Sequence, residues 1–446
     1  MTDQDTFDLI LRGGTAVLPG RTIAADIGVR SGKVAAIGLP ADAAAAEVVD
    51  CTGLHVLPGL IDTQVHFREP GLEHKEDLAT GTASAAMGGI TAVFDMPNTK
   101  PNLLTAQDMA DKVGRATGRA HTDFAFYAGA ADENAEALPM LERLPGCCGV
   151  KIFMGSSTGS LLVADDEKLE KVLRSGTRRV ALHAEDEPRL LARKHLAEEE
   201  GHPRAHPVWR DVETALNATR RLLALARKTG RRVHVLHITT AEEMALLAAN
   251  KDIATVEVLP QHLTMTAPEC YERLGSLAQM NPPIREQRHQ DALWQAISDG
   301  VVDCMGSDHA PHTLEEKAQP YPKSPSGLSG VQTTVPLMLN HVAAGKLTLE
   351  RFVDLMSSGP NRIHGIAAKG RIALGYDADF TVVDLKAERT IEHGWIASKV
   401  GWTPFDGMEV TGWPIMTIVR GQFAMRDGVL VEPVGQPVRF QETLAG

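Results

Sequence analysis

Five residues, far apart in the chain, each close an apolar run with a group that can bind a metal or move a proton: His66, Lys151, His183, His237 and Asp308. They sit in Asp62-Thr-Gln-Val-His66, Gly149-Val-Lys-Ile-Phe153, Ala181-Leu-His-Ala-Glu185, Val235-Leu-His-Ile-Thr239 and Gly306-Ser-Asp-His-Ala-Pro-His312. Imidazole plus carboxylate suits Zn²⁺ best, with Mn²⁺, Co²⁺ and Fe²⁺ also compatible. A metal so held would make hydroxide near neutral pH, because bound water can titrate near ~7. Asp308 would carry the proton from that water to a leaving nitrogen. Bland readings stand beside these: His183 and His237 as satisfied core histidines, Asp308 as a helix cap. Lys151 is less bland, because an uncompensated ammonium between Val150 and Ile152 is costly to bury and needs a partner or a chemical change.

The stretch Pro58–Gly71 is the densest in chemistry. Its apolar run Leu57–Ile61 passes into Asp62, Gln64, His66, Arg68 and Glu69. On an extended strand Gln64, His66 and Arg68 point to one side. Arg68 could grip a carboxylate through two parallel hydrogen bonds, or pair with Glu69 or Glu73.

These groups need a frame that brings strand ends together. The middle of the chain alternates strand candidates (Ile90–Asp95, Asp123–Tyr127, Val150–Phe153, Arg179–His183, Arg232–His237, Thr255–Leu259, Val301–Gly306) with helix candidates (Lys75–Met87, Ala106–Ala116, Asp166–Leu173, Val208–Lys228, Ala241–Asn250, Gln290–Asp299). Continuous apolar strands alternating with helices imply a parallel sheet covered by helices. No Gly-x-Gly-x-x-Gly follows the first of these strands. A closed (β/α)8 TIM-like barrel is therefore expected, with the five residues meeting at its strand C-termini. Short strands occur at both ends: Phe7–Arg12, Thr15–Val17, Asp26–Arg30, Val34–Ile37 and His55–Leu57, then Phe380–Asp384, Ile415–Arg420 and Gln422–Met425. The expectation is an α/β protein with a small β-sandwich domain from residues 1–57 plus 370–446 and a barrel over 58–369.

Composition narrows the partners. The 446 residues carry a net charge of -12, which argues against non-specific binding to nucleic acid or anionic membrane. The acidic start Met1–Phe7 has no signal pattern, and no apolar run approaches the ~18 residues of a membrane span. Five scattered cysteines, without a Cys-x-x-Cys pair, suggest reduced thiols and a cytoplasmic location.

The chain resembles the dihydroorotases of the cyclic amidohydrolase group. The resemblance rests on Pro58–Gly71, Asp95-Met-Pro-Asn-Thr99, Gly149–Phe153, His183, His237, Asn281-Pro-Pro-Ile-Arg285, Gly306–His312 and Gly370–Phe380. It implies a zinc centre of one or two ions, with Lys151 carboxylated by CO₂ as a bridge. His183 and His237 would hold the more exposed ion, and His66 with Asp308 the other. Where the superfamily mostly carries His-x-His, this chain has Gln64-x-His66, so Gln64 would be a weak ligand or none. Arg68, Asn98, Asn281 and His312 would contact the substrate, an anionic cyclic ureide. The backbone of Pro325–Gly330 could approach the ring, or be a plain loop, and His312 could be an exposed loop residue.

The implied reaction interconverts dihydroorotate and N-carbamoyl-L-aspartate in de novo pyrimidine synthesis. Alternatives are a hydantoinase, dihydropyrimidinase or allantoinase, or a non-catalytic partner of aspartate transcarbamoylase. A homo-oligomer, and contact with a pyrimidine-pathway enzyme, are expected from resemblance alone.

Overall fold

The computed structural model describes residues 6–157 and 161–444, so part of the acidic N-terminal stretch lies outside them. Eight parallel strands, in chain order around the sheet, form the centre: Leu60–Val65, Ile90–Asp95, Asp123–Gly129, Cys147–Phe153, Val180–His183, Val233–Val235, Ala254–Val258 and Cys304–Met305. A parallel bridge between Val65 and His309 joins the last strand's exit to the first strand, so the sheet closes into a (β/α)8 barrel. Nearly every residue of these strands is buried, because helices cover the outside and side chains fill the inside.

The strand ends differ from expectation where the backbone turns. The sixth strand stops at Val235 rather than His237, and the eighth spans only Cys304–Met305. His237 and Asp308 have φ of 40° and 45°, a left-handed conformation that ends extended structure. The expected helix Val208–Lys228 is two elements, a turn at His206–Trp209 and a helix Val212–Thr229. Asp211 separates them by accepting the Thr214 amide as an N-cap. Likewise Asp77 starts Leu78–Met87 through a capping box, so that helix begins three residues after Lys75.

Both ends of the chain build the β-sandwich. A four-stranded sheet holds Phe7–Arg12, Ile27–Arg30, Lys33–Ile37 and Ala45–Asp50. A seven-stranded sheet pairs the N-terminal His55–Pro58 antiparallel with Phe380–Thr390. Leu9, Leu11, Ile27 and Val29 of the first sheet share one core with Val56, Phe380, Val382 and Ile418 of the second. The strand Ala45–Asp50 was not expected, because its alanines have little preference for a strand. Between Phe380–Thr390 and Glu409–Val419 the chain crosses back to the barrel, where Trp402 Nε1 donates to the His312 carbonyl at 2.8 Å. No helix among the described residues is long and apolar enough to cross a membrane.

One buried lysine ties the sandwich side to the barrel floor. Lys369 Nζ lies 2.7 Å from Asp123, 3.1 Å from Asp377 and 2.6 Å from Asp379. Burial alone would lower its pKa, but the three carboxylates more than reverse that and hold it charged. Removing the cation would leave Asp379 with only the Arg420 amide among the described residues, and Asp123 and Asp377 with one close cation each, Arg420 and Lys33. The Lys369→Met variant is expected to lose about 3–5 kcal/mol of stability, read as a lower urea midpoint. A midpoint within error of wild type would show that the cluster contributes nothing.

Candidate active site

The first barrel strand delivers Gln64 and His66 to one point. Gln64 Nε2 donates to Asp308 Oδ1 at 3.1 Å, and its Oε1 is buried without a partner among the described residues. His66 Nε2 lies 3.2 Å from the same Asp308 oxygen. His66 Nδ1 lies 2.8 Å from Asn98 Oδ1, an acceptor. That partner assigns the hydrogen to Nδ1, which leaves the Nε2 lone pair facing a carboxylate oxygen. Two acceptors facing each other at this distance need a cation between them or a proton on the ring.

The fifth and sixth strands repeat the pattern. His183 Nδ1 lies 3.1 Å from His237 Nε2, while His183 Nε2 lies 2.9 Å from Glu185 Oε2. Burial lowers the pKa of both imidazoles, against the pull of Glu185 on His183, so both are neutral. Burial would raise Glu185, but Arg210 and His183 together bring it down to about 2. His237 Nδ1 is buried without a partner among the described residues. Arg68, His237 and Asp308 are three of the seven non-glycine residues with positive φ among the described residues, and such backbone concentrates at functional sites.

Lys151 is not at a strand tip. It lies inside Cys147–Phe153, two residues before the end, beside Gly129 and Ala181 of the neighbouring strands. Its ammonium is buried, has no hydrogen-bond partner among the described residues, and stands 4.6 Å from the Phe153 ring centre. Burial pushes its pKa down to about 7, opposed by Asp308 and Glu257.

Arg68 is 2% exposed and has no carboxylate within ion-pair distance among the described residues. Its Nε donates to the Pro311 carbonyl at 3.1 Å, and Nη2 lies 3.2 Å from His312 Nε2. The alternative pairings fail: Glu69 takes Arg119 at 2.8 Å, and Glu73 accepts the Gly71 amide. Burial lowers the Arg68 pKa to about 10, so it stays charged at neutral pH. His312 is buried rather than exposed, with Lys75 Nζ 3.1 Å from its Nδ1. Asn281 Oδ1 lies 2.9 Å from His206 Nε2, so His206 holds this side chain. In the Pro325–Gly330 loop the carbonyls of Pro325 and Gly327 accept from Lys317. Asp308 caps no helix; Thr313 does so five residues on.

Three groups at the site carried no expectation. Glu185 and Arg210 form a buried ion pair behind His183. Glu257, in the seventh strand, accepts the His237 amide at 3.3 Å, and burial raises its pKa to about 8. The strand alternation that placed Gln64 beside His66 also places Glu185 on the side of His183. A lone glutamate in Thr255-Val-Glu-Val258 carries the same signal as Lys151.

The amidohydrolase family pattern matches residues 55–424, from the strand entering the barrel to the sandwich strand Gln422–Arg426. The chain belongs to the amidohydrolase family. Among curated members of that family it is similar to a dihydroorotase of Methanothermobacter thermautotrophicus, 34% identical and covering 93% of this chain and 94% of the relative. An allantoinase of Streptomyces avermitilis is 35% identical, covering 96% and 98%. Among solved structures, L-hydantoinase from Arthrobacter aurescens superposes with a TM-score of 0.92 at 30% identity, covering 97% of this chain and all of that one.

Amidohydrolases are generally metal-dependent, and the residues here fit a metal. Two pairs of buried donors converge at 3.1–3.2 Å, close to the about 3.3 Å that separates two nitrogens on a tetrahedral ion with bonds of ~2.0–2.1 Å. The stranded Gln64 Oε1, His237 Nδ1 and Lys151 Nζ add unmet polar capacity around them. A second group, His234, Glu257 and Cys304, brings donor atoms within 4.8 Å of one another inside the barrel. Burial raises Glu257 and Cys304 and lowers His234, which makes all three neutral.

Proposed function

We propose that this amidohydrolase opens and closes a cyclic amide bearing a carboxylate, and that its substrate is dihydroorotate. The observation that carries this is Arg68, a buried guanidinium without a carboxylate partner among the described residues, beside His312 and two residues after His66 in the segment that leaves the first barrel strand with a left-handed turn at Arg68. A buried charge left without a counter-ion is costly, and an anionic ligand removes that cost. Several curated dihydroorotases at 34–36% identity over most of the chain support the same reading.

His66, His183, His237, Lys151 and Asp308 would hold the metal, with Gln64 facing it through a neutral oxygen. When bound, a divalent zinc ion supplies Lewis acidity and lowers the pKa of water toward ~7. Arg68 and His312 grip the ring carboxylate. Asn98 orients His66 through its ring nitrogen and contacts the substrate, and Asn281 contacts the ring amide from the opposite side. Asp308 accepts the proton of the attacking water and returns it to the ring nitrogen as the carbon–nitrogen bond breaks. Water's oxygen ends in the new carboxylate of N-carbamoyl-aspartate; the reverse direction closes the ring and releases water. Carboxylation would turn Lys151 from an unpaired buried cation into an anionic ligand.

The test measures dihydroorotate hydrolysis and N-carbamoyl-aspartate cyclisation, with metal content on the same sample. Turnover with about two ions per chain would mean that Gln64 is tolerated at a binuclear site; turnover with one would make Gln64 the mark of a mononuclear site. A chelator is expected to lower Tm, because the stranded donors lose their ion, and zinc with bicarbonate to restore it. Turnover of hydantoin, allantoin or dihydrouracil without dihydroorotate would overturn the substrate assignment. The similar allantoinase and L-hydantoinase make those the controls to run first. Absence of turnover and of metal, even with zinc and bicarbonate, would instead favour a scaffold role.

A further inference from the structure

We infer that the N-terminal end of the barrel, opposite the candidate active site, binds a phosphate group between Arg178, Arg179 and Arg232, in competition with the Glu442 carboxylate. The inference does not depend on the substrate proposed above.

Two neighbouring barrel strands open on the same tripeptide, Arg178-Arg179-Val180 and Arg231-Arg232-Val233. Val180 pairs in parallel with Val233, and the Val180 amide donates to the Arg232 carbonyl at 3.2 Å. Equal register therefore sets Arg179 and Arg232 side by side at the strand starts, the end of the barrel that faces away from the chemistry. A cavity of about 110 Å³ lies there, and its walls include Arg178, Arg179, Arg232, Arg362, His364 and Glu442. His364 packs edge-on against Phe94 and His234 of the barrel interior, so the approach is from outside. Two of the four guanidiniums have counter-ions: Arg362 pairs with Asp354 at 2.7 Å, and Arg178 Nε with Glu442 at 3.2 Å. Arg178 is 6% exposed, yet its Nη2 is buried without a partner among the described residues. Arg179 Nη1 donates to the Val233 carbonyl at 2.9 Å. Neither Arg179 nor Arg232 has a carboxylate within ion-pair distance among the described residues. Burial lowers the Arg179 pKa to about 10, and the Arg232 charge pushes the same way.

A single exposed arginine would be a solvated surface charge. Two adjacent ones without counter-ions repel each other, and an anion between them reverses the sign of that interaction. Two unpaired guanidiniums call for two negative charges, close to the charge of a phosphate group above its second pKa of ~6. Planar guanidinium forks also match the oxygens of a phosphate. The cavity is far smaller than the ~300–1,000 Å³ pockets of drug-sized ligands, so the occupant is inorganic phosphate or the phosphate end of a molecule whose remainder stays outside. Glu442 stands on the short turn Gln441–Thr443 with its side chain half exposed. Its carboxylate occupies Arg178 Nε and places a negative charge at the same cavity, so it opposes the incoming anion.

The experiment titrates inorganic phosphate into the full-length chain by calorimetry, at an ionic strength held constant with chloride because salt screens exposed charges. Saturable binding with a rise in Tm is expected. Arg232→Gln, a change at an exposed side chain, is expected to bind about 10–100-fold more weakly, the loss of a hydrogen bond to a charged group. Glu442→Gln is expected to bind more tightly, because the competing carboxylate is gone and Arg178 is released. Ribose 5-phosphate titrated in parallel assigns the source: tighter binding than inorganic phosphate marks the end of a larger metabolite, and weaker binding marks the free ion. Phosphate held instead at the metal centre or at Arg68 would be indifferent to Arg232, so wild-type affinity in Arg232→Gln would overturn the proposal. No uptake by the wild-type chain at millimolar phosphate would overturn it as well, as would weaker binding in Glu442→Gln.

Discussion

The Asp308→Asn variant is expected to hydrolyse dihydroorotate about 10²–10⁴-fold more slowly than the parent chain, the range set by loss of a general acid–base group. Asparagine is the informative replacement for two reasons. At φ 45° it tolerates the left-handed backbone better than other residues, so the turn after the last strand need not move. Its amide oxygen can also keep the bond from Gln64 Nε2, now 3.1 Å long. What disappears is the capacity to take and return a proton. The measurement pairs the steady-state rate with metal content and Tm on one preparation. A loss of rate with metal retained supports the proton-transfer role. A loss of both would make Asp308 chiefly a ligand, and a rate within tenfold of wild type would remove it from the chemistry.

Much of this site could be read before any fold was known, because side chains at strand ends obey a simple rule. His66, His183, His237 and Asp308 each follow an apolar run, and the barrel brings their strands side by side. Lys151 was found for a different reason, the cost of an unpaired ammonium among Val150 and Ile152, and that reason holds although the residue lies within its strand rather than at its end. Glu257 satisfied the same test and was passed over. Arg210 had no local signal at all. It ends a turn 25 residues from Glu185, and only tertiary packing brings the two together. Fold boundaries failed in the same physical way. The alternation of strands and helices survives in the sequence, but left-handed residues such as His237 and caps such as Asp211 cut elements short. The crossing of the chain from the sandwich to Trp402, over the barrel beside His312, follows from no periodicity.

The second large effect is expected at Arg68. Methionine fills a similar volume and removes the charge. If Arg68 holds the ring carboxylate, Arg68→Met leaves that carboxylate buried without a partner, which costs about 2–5 kcal/mol, or roughly 30- to 4,000-fold in kcat/KM at about 1.4 kcal/mol per decade. Neutral dihydrouracil should be nearly indifferent to the change, because it never engaged the guanidinium. The fold should respond in the opposite direction. Arg68 is a buried cation that bonds the Pro311 carbonyl and lies against His312, with no carboxylate at ion-pair distance among the described residues, so its removal relieves a buried charge without a counter-ion. Tm should therefore be unchanged or higher while activity on dihydroorotate collapses, the pattern of a residue kept for function at some cost to stability. Equal losses on the charged and the uncharged ring, or a large fall in Tm, would mean that Arg68 is a structural cation and that the carboxylate is recognised elsewhere.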